Sequence, residues 1–136
     1  MVLVDTSVLI GFLKGKSSDK VKLFKEILLR NIPFGISPLT LQEVLQGART
    51  ENDFYTLKQF LSSQRIYYLD NEAETYENAA RIYFELRRRG VTPRSTIDIL
   101  IALTAIDNNL LLLHDDRDFD AMAGQLSDLR ILNKLY

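Results

Sequence analysis

The chain of 136 residues is 46% hydrophobic and 26% charged, which is typical of one ordinary globular domain, so we expect residues 1–136 to form a single domain. Its 17 Lys and Arg residues against 18 Asp and Glu residues give a formal charge of −1, so any contact with a polyanion must come from a local patch. The absence of cysteine excludes a disulfide framework and a thiolate metal site, and the lack of a secretory leader or membrane span predicts a cytoplasmic protein with no membrane contact.

Predicted strands and helices alternate along the chain. Short apolar runs predict strands at 2–4, 34–36, 66–69, 110–113 and 129–132. Helical periodicity and capping residues predict helices at 6–14, 18–30, 37–47, 50–61, 72–89, 95–109 and 119–124. The alternation favours an α/β fold with three layers, α/β/α, around a short, mostly parallel sheet of four to five strands.

The longest predicted helix, at 72–89, carries aromatic and alanine residues at helical spacing. We expect its inward stripe to contain Tyr76, Ala80 and Tyr83, with Ala79 or Phe84 beside them. Glycine at position 90 and proline at position 93 predict where this helix ends.

Acidic residues follow the predicted strands or begin the helices that return to them. Asp5 directly follows the first strand, and Glu43 lies in the second turn of the helix after the second strand. Asp98 lies in the first turn of the helix that enters the fourth strand, and Asp116 lies in the loop after that strand. Because helices in right-handed βαβ units run antiparallel to the strands, these positions meet at one edge of the sheet, where α/β proteins bind ligands.

Four carboxylates in one cleft repel each other, and without a counter-charge some of them would be forced to bind protons. A divalent cation resolves this conflict. Oxygen ligands without an accompanying His or Cys favour Mg²⁺ or Mn²⁺ over zinc. Such an ion can activate a water and neutralise charge on a phosphate, which predicts hydrolysis of a phosphodiester.

Each acid also has a purely structural interpretation. Asp5 can be the N-cap of the helix that follows it, and Asp98 can close a capping box at the start of its own helix. Glu43 can be a solvated helix residue or the end of a capping box, and Asp116 can be a turn former. The joint placement of the four acids at one edge is what favours the functional interpretation.

Four segments resemble the motifs of the PIN domain family, and in particular of its small ribonuclease toxins of the VapC type. The segments are VDTSVLI at 4–10, ISPLTLQE at 36–43, DILIALTA at 98–105 and LLHDDRDF at 112–119. They occur in the family's order and span nearly the whole chain. One such motif is a weak signal, but four in order are fairly specific.

The resemblance implies that Asp5, Glu43, Asp98 and Asp116 form an acidic quartet in a metal-dependent endoribonuclease. Asp5, Asp98 and Asp116 would hold Mg²⁺ or Mn²⁺ most directly, and Glu43 would complete the site. The resemblance also implies a homodimer and a cognate antitoxin protein whose C-terminal segment covers the site. The substrate would be RNA.

Further residues are candidates for accessory roles. Thr6 or Ser7 would help position the metal site, and Asp118 could replace or assist Asp116. His114 stands where the family usually carries threonine or another small residue. We expect a packed or solvent-facing imidazole there, although a contact with RNA or titration near neutral pH is an open alternative.

The basic run 87–89 and Arg94 have two interpretations. Cations in a last helical turn offset the macrodipole, and the acids at the start of the same helix complete that pattern. Alternatively, Arg88 and Arg94 form a rim that contacts RNA phosphates without reading the base sequence.

Other functions stay open at this point. A PIN-domain nuclease of RNA processing or decay would have the same site and no antitoxin, and a non-catalytic binding module would have the fold without the cleavage. A receiver-like phosphoacceptor module would also place aspartates at strand ends and bind Mg²⁺. It would need paired acids before its acceptor strand and a late lysine at that edge, and neither is in place here.

Overall fold

The computed structural model describes residues 1–135 and contains one five-stranded sheet in that range. The strands are β1 (Val2–Val4), β2 (Phe34–Ile36), β3 (Arg65–Ile66), β4 (Leu111–Leu113) and β5 (Arg130–Ile131). They lie in the order β3-β2-β1-β4-β5, and every neighbouring pair is parallel. The predicted α/β fold with a short sheet is therefore confirmed.

Seven helices connect the strands of the described chain. They are α1 (Thr6–Leu13), α2 (Asp19–Leu29), α3 (Pro38–Gln46), α4 (Glu51–Ser62), α5 (Ala73–Arg88), α6 (Thr96–Asp107) and α7 (Arg117–Ala123). Among residues 1–135, none of these helices is both long and apolar enough to cross a membrane.

The two faces of the sheet carry separate cores, which gives the three predicted layers. Val2 and Val4 of β1 pack in the core that α1 to α4 cover, whereas Leu3 packs in the core that α5 to α7 cover. Successive side chains of a strand point to opposite faces, so both faces of a three-residue strand can be buried only if every residue is apolar. This is why the run at 2–4 is apolar throughout.

The order in which the strands are added to the sheet reverses at β1. From β1 the chain proceeds outward through β2 to β3, and it then crosses over to β4 and β5. Val4 pairs with Leu113, and the Asp5 N–H donates to the Leu113 carbonyl at 2.9 Å. The residues that follow these two strands therefore lie beside each other at the switch point, where open α/β sheets form a crevice.

The third strand is shorter than the predicted 66–69. Because β2 has only three residues, the ladder ends with the Tyr67 N–H donating to the Ile36 carbonyl at 2.9 Å. Tyr67 is buried across Gly35, where an added Cβ would overlap the tyrosine ring and lie 2.8 Å from the Arg65 carbonyl. Glycine at position 35 thus makes room for the aromatic residue.

The predicted inward stripe of α5 is confirmed for Ala79 and for Tyr83, which is half-buried against the core, and is wrong for Tyr76 and Ala80. Ala79 and Leu86 are buried, whereas Tyr76, Ala80 and Phe84 are exposed. Two arginine guanidinium groups lie 5.2 and 5.5 Å from the centre of the Phe84 ring. The two guanidinium groups cover this ring on the outside of the helix, so Phe84 can remain outside the hydrophobic core.

Candidate metal centre and active site

Asp5 occupies the end of β1 and the N-cap of α1, and only 4% of it is exposed. Its carboxylate accepts hydrogen bonds from the Ser7 N–H at 3.0 Å and from the Ser7 hydroxyl at 2.5 Å. Burial raises the pKa of Asp5, the Ser7 hydrogen bonds oppose that shift, and the charge of Glu43 adds to it. The two Ser7 donors therefore hold the carboxylate in place without supplying a positive charge.

Glu43 is fixed by the hydroxyl next to Asp5. Ser37 caps α3 by accepting from the Leu39 N–H at 3.1 Å, which sets the start of the helix and so places Glu43 in its second turn. The Thr6 hydroxyl donates to Glu43 Oε1 at 2.7 Å, and its oxygen lies 3.1 Å from the hydroxyl of the fully buried Thr40. Thr6 has one proton to donate, so Thr40 is the donor in the second contact.

Asp98, Asp116 and Asp118 form a tight cluster on the other side of the crevice. Each offers one carboxylate oxygen, and these oxygens lie within 4.8 Å of one another. Asp98 lies in the first turn of α6, and Asp116 caps α7 by accepting from the Asp118 N–H at 2.9 Å. The two helix N-termini bring the three acids together.

The two groups of acids lie close enough for the charges of both to act on Asp98, so we describe them as one hollow. The pKa of Asp98 is raised to about 7, first by burial and then by the charges of four carboxylates, those of Asp5, Asp116, Asp118 and Glu43. A carboxyl group feels its neighbours this strongly only at short range in a poorly solvated place. The four predicted acids and Asp118 are therefore brought together by the fold.

Arg94 supplies a positive charge to this cluster. Its side chain donates to Asp118 Oδ2 at 2.9 Å and to Asp116 Oδ1 at 3.1 Å, and its backbone N–H donates to Asp118 at 3.2 Å. This partner lowers the pKa of Asp118. The other basic candidate, Arg88, lies outside the cluster, 3.8 Å from Glu85.

His114 is buried beside the acids, with 1% of its surface exposed. Its Nδ1 accepts a hydrogen bond from the Asp116 N–H at 3.1 Å, and its ring centre lies 5.1 Å from that of Phe119. The Nε2 atom is 3.2 Å from Asp120 Oδ1, close enough for electrostatic contact but not aligned for a hydrogen bond. Burial and the nearby charge of Lys20 lower the pKa of His114, so the ring is neutral at pH 7.

The structural interpretation of the acids is also correct for two of them. Asp5 caps α1 and Asp116 caps α7, as N-cap preferences alone would predict. The two roles are compatible, because a cap that follows a parallel strand lies at the carboxyl edge of the sheet by construction. Capping therefore does not count against a functional role here.

Sequence reasoning missed three contacts within the site. The bond between Thr6 and Glu43 was not expected, nor was the pairing of Arg94 with the acids, nor the anchoring of the loop by His114. The sequence offered one signal for the pairing of Arg94: it lies four residues before Asp98, at the edge where the acids are predicted to meet. Thr40, one turn before Glu43, was a weaker signal, since buried threonines are common in helices.

The donor set fits a divalent cation. The clustered side chains offer oxygen atoms only, which hard ions such as Mg²⁺ and Mn²⁺ prefer. Burial raises the pKa of Asp98 to about 7, together with the charges of the four neighbouring carboxylates. A doubly charged ion at that point would relieve the repulsion, so Asp98, Asp116 and Asp118 could hold a metal.

Comparison with known proteins gives the same result as the motifs. The PIN domain family matches residues 2–125. Ribonuclease VapC11 of Mycobacterium tuberculosis and VapC ribonuclease Mb1587 of Mycobacterium bovis are each 31% identical over 124 residues, covering 90% of this chain and 92% of the relative.

Solved structures show the same fold. A DNA-bound VapBC complex from Salmonella typhimurium contains a chain with a TM-score of 0.72 and 26% identity, and the match covers 96% of each chain. VapBC2 of Rickettsia felis, bound to a promoter DNA fragment, contains one with a TM-score of 0.70 and 23% identity, covering 97% of this chain and 98% of that one. On the family match and the identity to the mycobacterial relatives, this chain belongs to the PIN domain family.

Proposed function

We propose that this protein is a metal-dependent endoribonuclease and the toxin of a type II toxin–antitoxin pair. The observation that carries the proposal is the convergence of acids at the switch point of the sheet: carboxylate oxygens of Asp98, Asp116 and Asp118 lie within 4.8 Å of one another, and the charges of Asp5 and Glu43 also act on Asp98. The similarity to curated VapC ribonucleases over 90% of the chain supports RNA as the substrate.

Asp5, Asp98 and Asp116 would hold Mg²⁺ or Mn²⁺, with Asp118 as an accessory ligand. When bound, such an ion supplies Lewis-acid activation of water and neutralises charge on the phosphodiester. Glu43 is restrained through Oε1 by the 2.7 Å bond from Thr6, which leaves Oε2 to orient the attacking water and accept its proton. Ser7 serves the same site indirectly, by fixing the Asp5 carboxylate.

Basic residues at the edge of the site would bind the RNA backbone. The Arg94 side chain is 67% exposed although it contacts two of the acids, so it can reach a phosphate at the mouth of the hollow. The Arg88 side chain is 63% exposed and lies on the last turn of α5. Contacts of this kind add affinity that depends on salt and carry no base specificity.

A groove beside the acids supports an antitoxin partner. It has a volume of about 840 Å³, lies between α1, α3 and α4, and reaches Glu43. Its apolar lining includes Ile10, Leu13, Val44 and Leu57, and a lysine and an arginine lie at its border. Since the relatives of known structure are VapBC toxin–antitoxin complexes, we propose that the C-terminal segment of an antitoxin occupies this groove. A homodimer is part of the same proposal.

RNA cleavage by the wild type and by Asp5→Asn, with Mg²⁺ or Mn²⁺ and after chelation, tests the nuclease. We expect metal-dependent cleavage by the wild type and by Asp128→Asn, a matched change at an exposed aspartate outside the site. Asp5→Asn should be inactive. Equal cleavage by the wild type and Asp5→Asn, or activity that survives chelation, would remove the proposal and leave a binding module.

A growth assay separates the toxin from a nuclease of RNA processing. Expression of the wild type alone should arrest growth, expression of Asp5→Asn should not, and co-expression of the cognate antitoxin should restore growth. A cell that grows normally while the purified protein cleaves RNA would favour the processing enzyme.

A further inference from the structure

His114 is a buried polar residue at this edge of the sheet that the proposed chemistry does not use. It directly follows β4, in the strand position level with Asp5 on β1, because Val4 pairs with Leu113. Its ring packs against Phe119 of α7 and is almost completely enclosed. A polar ring in such a place needs a hydrogen-bonding reason, since burying it costs free energy.

That reason is the main chain of Asp116. The Asp116 N–H donates to Nδ1 at 3.1 Å, so Nδ1 carries no proton and the ring proton is on Nε2. The N–H just before it, that of Asp115, donates to the Ser7 hydroxyl at 2.9 Å. Two consecutive amides of the loop are thus held by side chains, one from the first turn of α1 and one from the residue after β4.

This pair of anchors determines where the Asp116 carboxylate lies. The loop residue has an extended backbone, with φ −138° and ψ 120°, and its Oδ1 accepts from the Asp118 N–H at 2.9 Å. Its N–H and its carboxylate are therefore both tied, which keeps the side chain in the cluster with Asp98 and Asp118. Without the bond to Nδ1 the backbone could rotate and carry the carboxylate away.

We propose that His114 is a positioning residue, which holds the Asp116 main chain through Nδ1 and thereby sets the affinity of the acidic cluster for a divalent cation. The inference rests on the proposed function, since it assigns Asp116 to the metal site. The imidazole does not touch the ion or the RNA. It acts as the outer partner of a ligand, and such partners change metal affinity by roughly 10- to 100-fold.

The test uses two substitutions that differ in where they place an acceptor. His114→Asn keeps an oxygen as many bonds from Cα as Nδ1, whereas His114→Gln moves it one bond farther out. Both lose the ring and its packing on Phe119, so both should lower the melting temperature by similar amounts. Asp120→Asn removes the charged neighbour of Nε2 alone and is the matched control.

Titration calorimetry with Mn²⁺ in the absence of RNA gives the affinities, and amide hydrogen exchange reports the Asp116 N–H. We expect His114→Gln to weaken Mn²⁺ binding about 10-fold and to expose the Asp116 amide to exchange, while His114→Asn stays within about threefold of wild type. Asp120→Asn should match the wild type in both measurements.

Equal Mn²⁺ affinity and equal Asp116 protection in His114→Asn and His114→Gln would overturn the inference and leave His114 a packing residue. If the wild type itself bound no Mn²⁺, the proposed function would fail together with the inference. A wild type that binds Mn²⁺ and cleaves RNA, with indistinguishable variants, would overturn the inference alone.

Discussion

The two sides of the acidic hollow hold their carboxylates by different means. On the side formed by β1, α1 and α3, Asp5 and Glu43 receive hydrogen bonds from hydroxyl and amide groups, which carry no net charge. On the side formed by α6 and the start of α7, Asp116 and Asp118 pair with the guanidinium of Arg94. Asp5 is buried, whereas Glu43, Asp116 and Asp118 are half-buried.

The difference explains the opposite shifts of the acids. Neutral donors fix a carboxylate without cancelling its charge, so burial still raises the pKa of Asp5, whereas the cation lowers that of Asp118. Asp98 belongs to the second side, in the first turn of α6, and the charges of both sides act on it. The ionised form of Asp98 is therefore disfavoured by burial and by the neighbouring carboxylates. A cation bound there would offset that repulsion.

The largest expected effect comes from removing the charge of Asp98. Asp98→Asn should lower RNA cleavage by roughly a thousandfold, because a proposed metal ligand is lost. The same change should raise the melting temperature of the metal-free protein at pH 8 by about 4 °C, since relief of about 1 kcal/mol shifts a domain of this size by that amount.

The gain in stability should depend on pH in a defined direction. The folded-state pKa of Asp98 is about 7, above its ordinary 3.8, so wild-type stability falls as pH rises from about 4 through 7. At pH 5, only about a third of the way along this range, Asp98→Asn should raise the melting temperature much less than at pH 8. Equal stabilisation at pH 5 and pH 8 would contradict the shared hollow.

Metal affinity should follow the same titration. A carboxyl group with a pKa of about 7 is ~90% ionised at pH 8 and ~3% ionised at pH 5.5, so calorimetry should find Mn²⁺ binding about 30-fold weaker at the lower pH. The ion competes with a proton for Asp98. An affinity independent of pH across this range would show that Asp98 is ionised throughout and that the acids do not repel each other as described.

On the side formed by β1, α1 and α3, the bond from Thr6 to Glu43 can be removed without changing the shape of the side chain. Thr6→Val should lower cleavage about 10-fold at saturating metal, because Glu43 loses its 2.7 Å donor, and Thr6→Ser should restore most of the activity. Mn²⁺ affinity should change by less than threefold. Full activity in Thr6→Val would mean that Glu43 needs no restraint.

The smallest expected effect comes from removing the positive charge of Arg94, which pairs with Asp116 and Asp118. Arg94→Ala should weaken RNA binding a few-fold and reduce the slope of log affinity against log salt by about one, as expected for one lost phosphate contact. Arg88→Ala is the companion change on α5 and should act in the same direction. An unchanged salt slope in both variants would leave Arg94 as an internal partner of the acids only.

Local signals in the sequence determined most of what could be predicted. Strands and helices begin close to where short-range signals predict them. The signals for strands are the apolar runs at 2–4 and 110–113, and those for helix starts are the capping residues Asp5, Ser37 and Ser95. The convergence of the acids followed from topology, because the edge at which a parallel strand ends is known once the strand is known.

Tertiary contacts without a repeating pattern could not be predicted. Arg94 and Asp118 are 24 residues apart, and nothing periodic links them. The outward face of α5 was misjudged because aromatic residues occur on more than one side of the helix, and only packing decides which side is buried. The partner of His114 is two residues away, but its burial depends on how α7 packs on the sheet.

A crystal of the protein soaked in Mn²⁺, with anomalous scattering recorded, tests the central claim most directly. We predict a peak in the hollow between Asp98 and Asp116, with carboxylate oxygens of both roughly 2.1 Å from the ion. A map without a peak at saturating Mn²⁺, or a peak that contacts neither residue, would contradict a shared metal site.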